Sequence, residues 1–295
     1  MKLLILFSIL LLITCDSEKI IEPVEKLEDT FQYKQITGID TALLSLDVYY
    51  NSDVSSTKPV VIYVHGGGWT IGDKANQLDN KINLFLSLNY ILVSLNYRLS
   101  PLPYEILNPN RIKYPDHNID IADAIKWIYS NIEQYGGNKN KLALMGHSAG
   151  AQIVALTGTN KNFLEQTGLT LSNIKGVAVI DTEGFDVNEQ VANGSNPLMY
   201  INAFGADVDQ YMNASPIFNV KNNMSYPKFF IAKRGIPKRI GYADDFINTL
   251  EINDVSVSQV NGSIYDHDEI NNAIGKPNEK LITEPLTQFF NDCFE

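Results

Sequence analysis

Apolar residues in this chain fall into short, dense runs set between stretches of helical period. Pro59–Val64, Tyr90–Asn96, Lys141–Met145, Ile174–Ile180 and Lys228–Ala232 are mostly apolar throughout, as strands covered on both faces are. Leu43–Tyr50 instead alternates, with Leu44, Leu46, Val48 and Tyr50 on one side, and reads as a half-exposed strand. Phe31–Thr37 precedes it across a turn at Gly38-Ile39-Asp40, and Val255–Val260 closes the set, for about eight strands. Between them, Asp73–Leu88, Asp116–Tyr135, Ala149–Thr159 and Tyr242–Ile252 carry helical patterns. The second of these places Ile121, Ala124, Ile125 and Ile128 on one stripe and stops at Gly136-Gly137. Strands alternating with helices predict an α/β fold, a largely parallel sheet with helices on both faces. Residues 182–226 break the alternation with an irregular stretch rich in Asn, Gly and aromatics. Short helices are expected after a loop holding Asp266-His267-Asp268.

The N-terminus has its own pattern. Lys2 precedes the apolar run Leu3–Ile13, which is too short to span a bilayer and ends at Thr14-Cys15. Residues 1–15 resemble a bacterial lipoprotein signal whose cysteine, Cys15, is lipidated; a conventional signal peptide cut nearby is the alternative. On this reading residues 16–30 are a polar tether, and 31–295 form one domain with a cap at about 182–226. The protein is then expected to be exported and held at the bacterial cell envelope through a lipid anchor. The only other cysteine is Cys293, so neither a disulfide framework nor a cysteine metal site can be built. A formal net charge of -11 argues against nucleic acid as a partner.

Candidate chemistry centres on Gly146-His147-Ser148-Ala149-Gly150, which joins a buried strand to a helix. A serine hydroxyl needs a base to become a nucleophile, and a sharp strand-to-helix turn exposes it to a carbonyl. Upstream, Gly66-Gly67-Gly68 follows a strand, and such a loop can aim backbone N–H groups at one point. Gly67 and Gly68, with the amide of Ala149 after the nucleophile, form a candidate oxyanion hole. Only four histidines are available as a base. His65 opens the glycine loop and suits a structural role. His147 adjoins Ser148 and should point away from its hydroxyl, and His117 reads as a surface or helix-end residue. His267 remains, after the last strand, where the Ser–acid–His order of this motif puts the base. Trp69 is a candidate wall of the substrate pocket or a packed aromatic. Tyr200, Phe204 and Tyr211 would line a substrate cover or form its small core, and Arg98 suits a structural ion pair.

His65–Trp69, Tyr97–Pro101, Tyr114-Pro115 with Asp120 ahead of Trp127, Tyr135–Gly137 and Gly146–Gly150 together resemble the α/β-hydrolase superfamily. The likeness is to its esterase/lipase branch with an HGGGW loop. Within that branch the chain is similar to bacterial feruloyl and acetyl-xylan esterase-like proteins, to carboxylesterases and to kynurenine formamidases. It covers roughly residues 40 to 275 and is most specific over 60 to 150. The resemblance implies a Ser–His–acid triad, an acyl-enzyme intermediate, a small-molecule ester substrate and no cofactor or metal. Most of the branch carries its acid in a loop after the strand that here is Lys228–Ala232. This chain reads Lys233-Arg234-Gly235-Ile236-Pro237-Lys238-Arg239 there, with no carboxylate before Asp244. The superfamily's other arrangement, an acid after the preceding strand, implies Asp181, with Glu183 as the alternative. Asp186 suits a cap or loop, Asp244 and Asp245 the solvated face of a helix, and Asp266 and Asp268 lie too close along the chain to orient His267. A triad with no acid is the remaining case. The expected activity is hydrolysis of a carboxylic ester of a small or carbohydrate-linked substrate. A formamidase with the same triad, or a catalytically silent envelope protein that binds a ligand, are the alternatives.

Overall fold

Parallel pairing of apolar strands builds the frame that holds the site. A computed structural model describes residues 26–54 and 57–295, so the signal segment and Cys15 lie outside the described residues. Among the described residues, eight strands form one sheet in the order β1-β2-β4-β3-β5-β6-β7-β8. They are β1 (Lys26–Gln32), β2 (Ser45–Asn51), β3 (Lys58–Val64), β4 (Ile91–Leu95), β5 (Gly137–His147), β6 (Ile174–Ile180), β7 (Lys228–Lys233) and β8 (Val257–Asn261). The β1–β2 and β2–β4 pairs are antiparallel and every other pair is parallel. This is the α/β-hydrolase fold.

Successive residues of a strand face opposite ways, so each buried strand feeds two cores. Val60, Ile62 and Val64 of β3 pack in one cluster, while Val61 and Tyr63 pack in the other. On the first face lie α2 (Asp116–Asn131) and α3 (Ala149–Thr159); on the second lies α1 (Asp79–Ser87). A fourth short helix, α4 (Asn162–Glu165), follows α3. Buried Arg98 pairs with Asp120 of α2, Nε to Oδ2 at 2.7 Å, and so fixes the loop after β4 to this layer. No helix among the described residues is long and apolar enough to cross a membrane.

Four expectations need correction. Residues 26–30, expected in the tether, belong to β1, which pairs from Lys26↔Asn51 to Gln32↔Ser45 and replaces the expected Phe31–Thr37 strand. An edge strand gains its ladder hydrogen bonds whatever its side chains are, and the polar run Lys26–Thr30 carries no apolar signal for it. The first helix starts at Asp79, because Asp73 turns back to accept from the Ala75 amide and from Asn96 Nδ2. Residues 182–226 hold four short helices: α5 (Val187–Asn193), α6 (Pro197–Phe204), α7 (Val208–Ala214) and α8 (Pro216–Asn219). Asp186 caps the first, Asp207 the third, and prolines start the second and fourth. The chain continues with α9 (Pro237–Glu251), α10 (His267–Ala273) and α11 (Thr283–Phe294).

The fourth correction is His117, which is buried in α2 rather than exposed, with Nε2 3.1 Å from Ser100 Oγ. Burial, with the charge of Arg98 behind it, pushes this imidazole down to about 3. Its ordinary value is 6.5, so between the two the unfolded chain binds a proton that the folded chain refuses. Stability is therefore full above 6.5 and falls as pH drops toward 3. His117→Gln should narrow the loss between pH 7 and pH 4 by about 3 kcal/mol, read from urea midpoints at the two pH values.

Candidate active site

Backbone geometry sets the nucleophile before any side chain acts. Ser148 has φ 56° and ψ -118°, a conformation that a non-glycine residue holds only where the surroundings over-determine it. Its amide is tied to Ile180 O at 3.0 Å, and the turn is crowded on both sides. A Cβ on Gly146 would strike the Gly150 carbonyl, and one on Gly150 would strike Val64 and His65 backbone. These two glycines permit helix α3 to leave β5 against β3.

The three expected partners meet at the carboxyl ends of their strands. His267 Nε2 lies 2.8 Å from Ser148 Oγ, and its Nδ1 lies 2.6 Å from Asp181 Oδ2. Ser148 follows β5, Asp181 follows β6, and His267 comes six residues after β8. His267 is the first residue of α10 rather than part of a loop. Asp266 caps that helix, accepting from the amides of Asp268 and Glu269, while Glu269 reaches back to the Asp266 amide. Asp266 is thus spent on the backbone.

Asp181 is buried and also sits at positive φ, 51°, with its amide on Ala232 O at 2.9 Å. Two arginines that no expectation included converge on it from the segment after β7. Arg234 Nε pairs with Oδ2, and Arg239 gives Oδ1 two bonds, from Nη2 at 2.7 Å and Nε at 3.0 Å. Arg239 Nη1 also pairs with Glu183. Burial works to raise the Asp181 carboxyl, but the hydrogen bond from His267 and the charge and hydrogen bonds of Arg239 outweigh it. The carboxyl lies below its ordinary value and stays ionised. Glu183, the alternative acid, is held by Arg239, and Asp244 pairs with Lys233 on the exposed side of α9. The signal for the arginines was present in the sequence: four cations, Lys233, Arg234, Lys238 and Arg239, stand in the stretch where an acid was looked for.

His147 points away from the serine hydroxyl as expected, yet it is part of the site. Its buried ring lies tilted against His267, at 39° with centroids 4.7 Å apart, and Nε2 donates to the His267 carbonyl at 2.9 Å. Burial, then the adjacent His267, push His147 down to about 3, so it stays neutral and holds α10 to the elbow. Nothing in the local sequence could show this, since the partners are 120 residues apart. His65 bonds within its own loop, Nδ1 to Gly66 O at 2.7 Å. His147, Asp181 and His267 also bring metal-ligand atoms within 4.8 Å of one another, the one such cluster among the described residues. All three side chains are already engaged, Asp181 with the His267 ring and His147 with the His267 carbonyl.

The glycine loop lies against the nucleophile. A Cβ on Gly66 would stand 3.0 Å from both Ser148 Cβ and His147 O. Gly67 and Gly68 have φ of 114° and 59°, values that glycine adopts without strain. Among the described residues, no protein acceptor takes the amides of Gly67, Gly68 or Ala149. Helix α6 covers the loop, since a Cβ on Gly68 would meet Met199 Sδ at 2.8 Å. Trp69 is both a wall and a packed aromatic: it borders the cavity and stands edge-on to Tyr200 and Phe204 at 5.2 and 4.9 Å. Tyr200, Phe204 and Tyr211 are buried, and of these Tyr200 reaches the cavity. The cavity holds about 660 Å³, with Ser148, His267 and the glycine loop on its wall.

Comparison with known proteins supports the same frame. The BD-FAE family model matches residues 46–238. Probable carboxylic ester hydrolase LipM of Mycobacterium tuberculosis is 28% identical over 190 residues, covering 61% of this chain and 41% of the relative. Esterase LipQ of the same organism is 35% identical over 119 residues, covering 40% and 26%. The chain thus spans less than half the length of these relatives. Among solved structures, esterase B from Lactobacillus rhamnosis superimposes with a TM-score of 0.72 at 19% identity, over 92% of this chain and 88% of that one. A truncated carbohydrate esterase from gut microbiota gives 0.69 at 14% identity, over 90% and 96%.

Proposed function

The chain belongs to the BD-FAE family, and from there we propose that it is a serine hydrolase cleaving a carboxylic ester through an acyl-enzyme. The observation that carries this is the unbroken line Ser148 Oγ–His267–Asp181, with bonds of 2.8 and 2.6 Å. Ser148 attacks the ester carbonyl while His267 Nε2 takes its proton. The carbonyl oxygen becomes an oxyanion facing the amides of Gly67, Gly68 and Ala149. His267 then protonates the departing alcohol, the acyl group stays on Ser148, and water admitted by the same base releases the acid. Asp181 keeps Nδ1 protonated and offsets the imidazolium charge. A small or carbohydrate-linked alcohol fits a cavity of this size whose rim carries the polar side chains of Glu183, Ser195 and Asn196.

A fluorophosphonate probe tests the reading, because only an activated serine reacts readily with it. Labelling should map to Ser148 in the native protein. A protein left unlabelled while a control esterase reacts would favour a silent, ligand-binding role instead. Anchoring to an envelope membrane through Cys15 belongs to the same proposal and is supported by the apolar run Leu3–Ile13 ahead of that cysteine. Cys15→Ala should shift the protein from the detergent phase to the aqueous phase on Triton X-114 partitioning.

A further inference from the structure

Asp181 is held more tightly than a triad acid needs to be for burial alone. Its side chain is 1% exposed, and each carboxylate oxygen carries more than one donor. Oδ2 takes His267 Nδ1 and Arg234 Nε, and Oδ1 takes the fork of Arg239. Glu183 balances the second arginine. The charges in this cluster cancel: two guanidinium cations face two carboxylates. A proton on His267 therefore meets a neutral neighbourhood instead of one uncompensated aspartate.

We propose that Arg234 and Arg239 are positioning residues of the triad, which aim Asp181 at His267 and balance its charge, so that the pH dependence of the reaction is sensitive to both arginines. The proposal rests on the esterase reading. The geometry behind it is specific. Asp181 follows β6 rather than β7, and the segment after β7 supplies the arginines instead, Arg234 from the loop and Arg239 from the first turn of α9. The Arg239 fork bonds one oxygen and leaves the other directed at Nδ1. Other ionisable groups stand near His267. His147 from the elbow is neutral, and Lys81 of α1 is fully buried and bonded to the carbonyls of Gln77 and Asn271. On α10 itself Asp268 borders the cavity, and Asp266 and Glu269 are engaged in the cap.

Removing one arginine leaves the cluster with a net negative charge, which makes an imidazolium easier to form. In Arg239→Gln the acid limb of the kcat/KM profile for a short nitrophenyl ester should move up by about one pH unit. The midpoint of the His267 imidazole titration, followed by 15N NMR, should move with it. Arg239→Lys keeps the charge and loses the fork. It should leave the limb in place, lower kcat about tenfold and leave KM within about twofold. Arg234→Gln should move the limb in the same direction, and it carries the measurement if Arg239→Gln fails to fold by circular dichroism. A loss of activity by the same factor at every pH, with the His267 midpoint unmoved, would overturn the proposal. The NMR midpoint needs no turnover, so it decides the role of the arginines even if fluorophosphonate labelling has already failed and the esterase reading with it.

Discussion

Ser148→Ala is expected to lower kcat/KM for short acyl nitrophenyl esters by about 10³-fold or more. The hydroxyl is the attacking group, and among the described residues its one side-chain partner is His267 Nε2. Removing it leaves the amides of Gly67, Gly68 and Ala149 and the cavity intact, so a residue of oxyanion stabilisation survives. The fold should not change. The alanine inherits the same backbone, held by the Ile180 carbonyl and by the glycines on each side. Thermal unfolding of the variant should match the native protein while hydrolysis and fluorophosphonate labelling disappear together. Native-like turnover in Ser148→Ala would remove the nucleophile assignment.

Asp181→Asn is expected to lower kcat by about 10⁴-fold, because an amide at that position permits the wrong imidazole tautomer. Its cost in stability is also large. Two arginines would face an uncharged side chain in a buried place, and breaking such a cluster from one side costs about 3–5 kcal/mol. The assay must therefore be run well below the melting temperature of the variant. Asp244→Asn is the matched control: its carboxylate is 44% exposed and, among the described residues, pairs with Lys233 alone. Exposed pairs contribute about 1 kcal/mol or less, so this variant should keep both activity and fold. Glu183→Gln separates the two acids named from the sequence. It should keep most of the activity, since Glu183 touches Arg239 and not His267. Full activity in Asp181→Asn with loss in Glu183→Gln would reverse the assignment.

Which parts of this site could be read from the chain follows from how local each signal is. The elbow is a contiguous pattern, because the strained turn needs glycine two residues before and two after Ser148. The glycine loop is contiguous for the same reason, and its φ values are ones that glycine alone adopts freely. His267 emerged by elimination among four histidines. The acid was harder, since a strand-end aspartate looks the same whether it caps local backbone or orients a distant ring. His147 was read correctly as facing away from the hydroxyl, but its hold on the His267 carbonyl depends on a contact across 120 positions. His117 was read as a surface or helix-end residue; it does stand at the start of α2, but packing against Ser100 and Tyr97 buries it.

The amino-acid sequence by itself determined the α/β alternation, the parallel core strands and the strand-to-helix serine, because these depend on periodicities and on glycine within a few residues. Only the tertiary structure decided that Asp181 faces His267, that Arg234 and Arg239 neutralise it, and that residues 26–32 complete the sheet edge. Those outcomes depend on which strand lies beside which. The β5-β6-β7-β8 order brings three chain segments to one end of the sheet, and charge pairing at that end is settled by distances that no local pattern encodes.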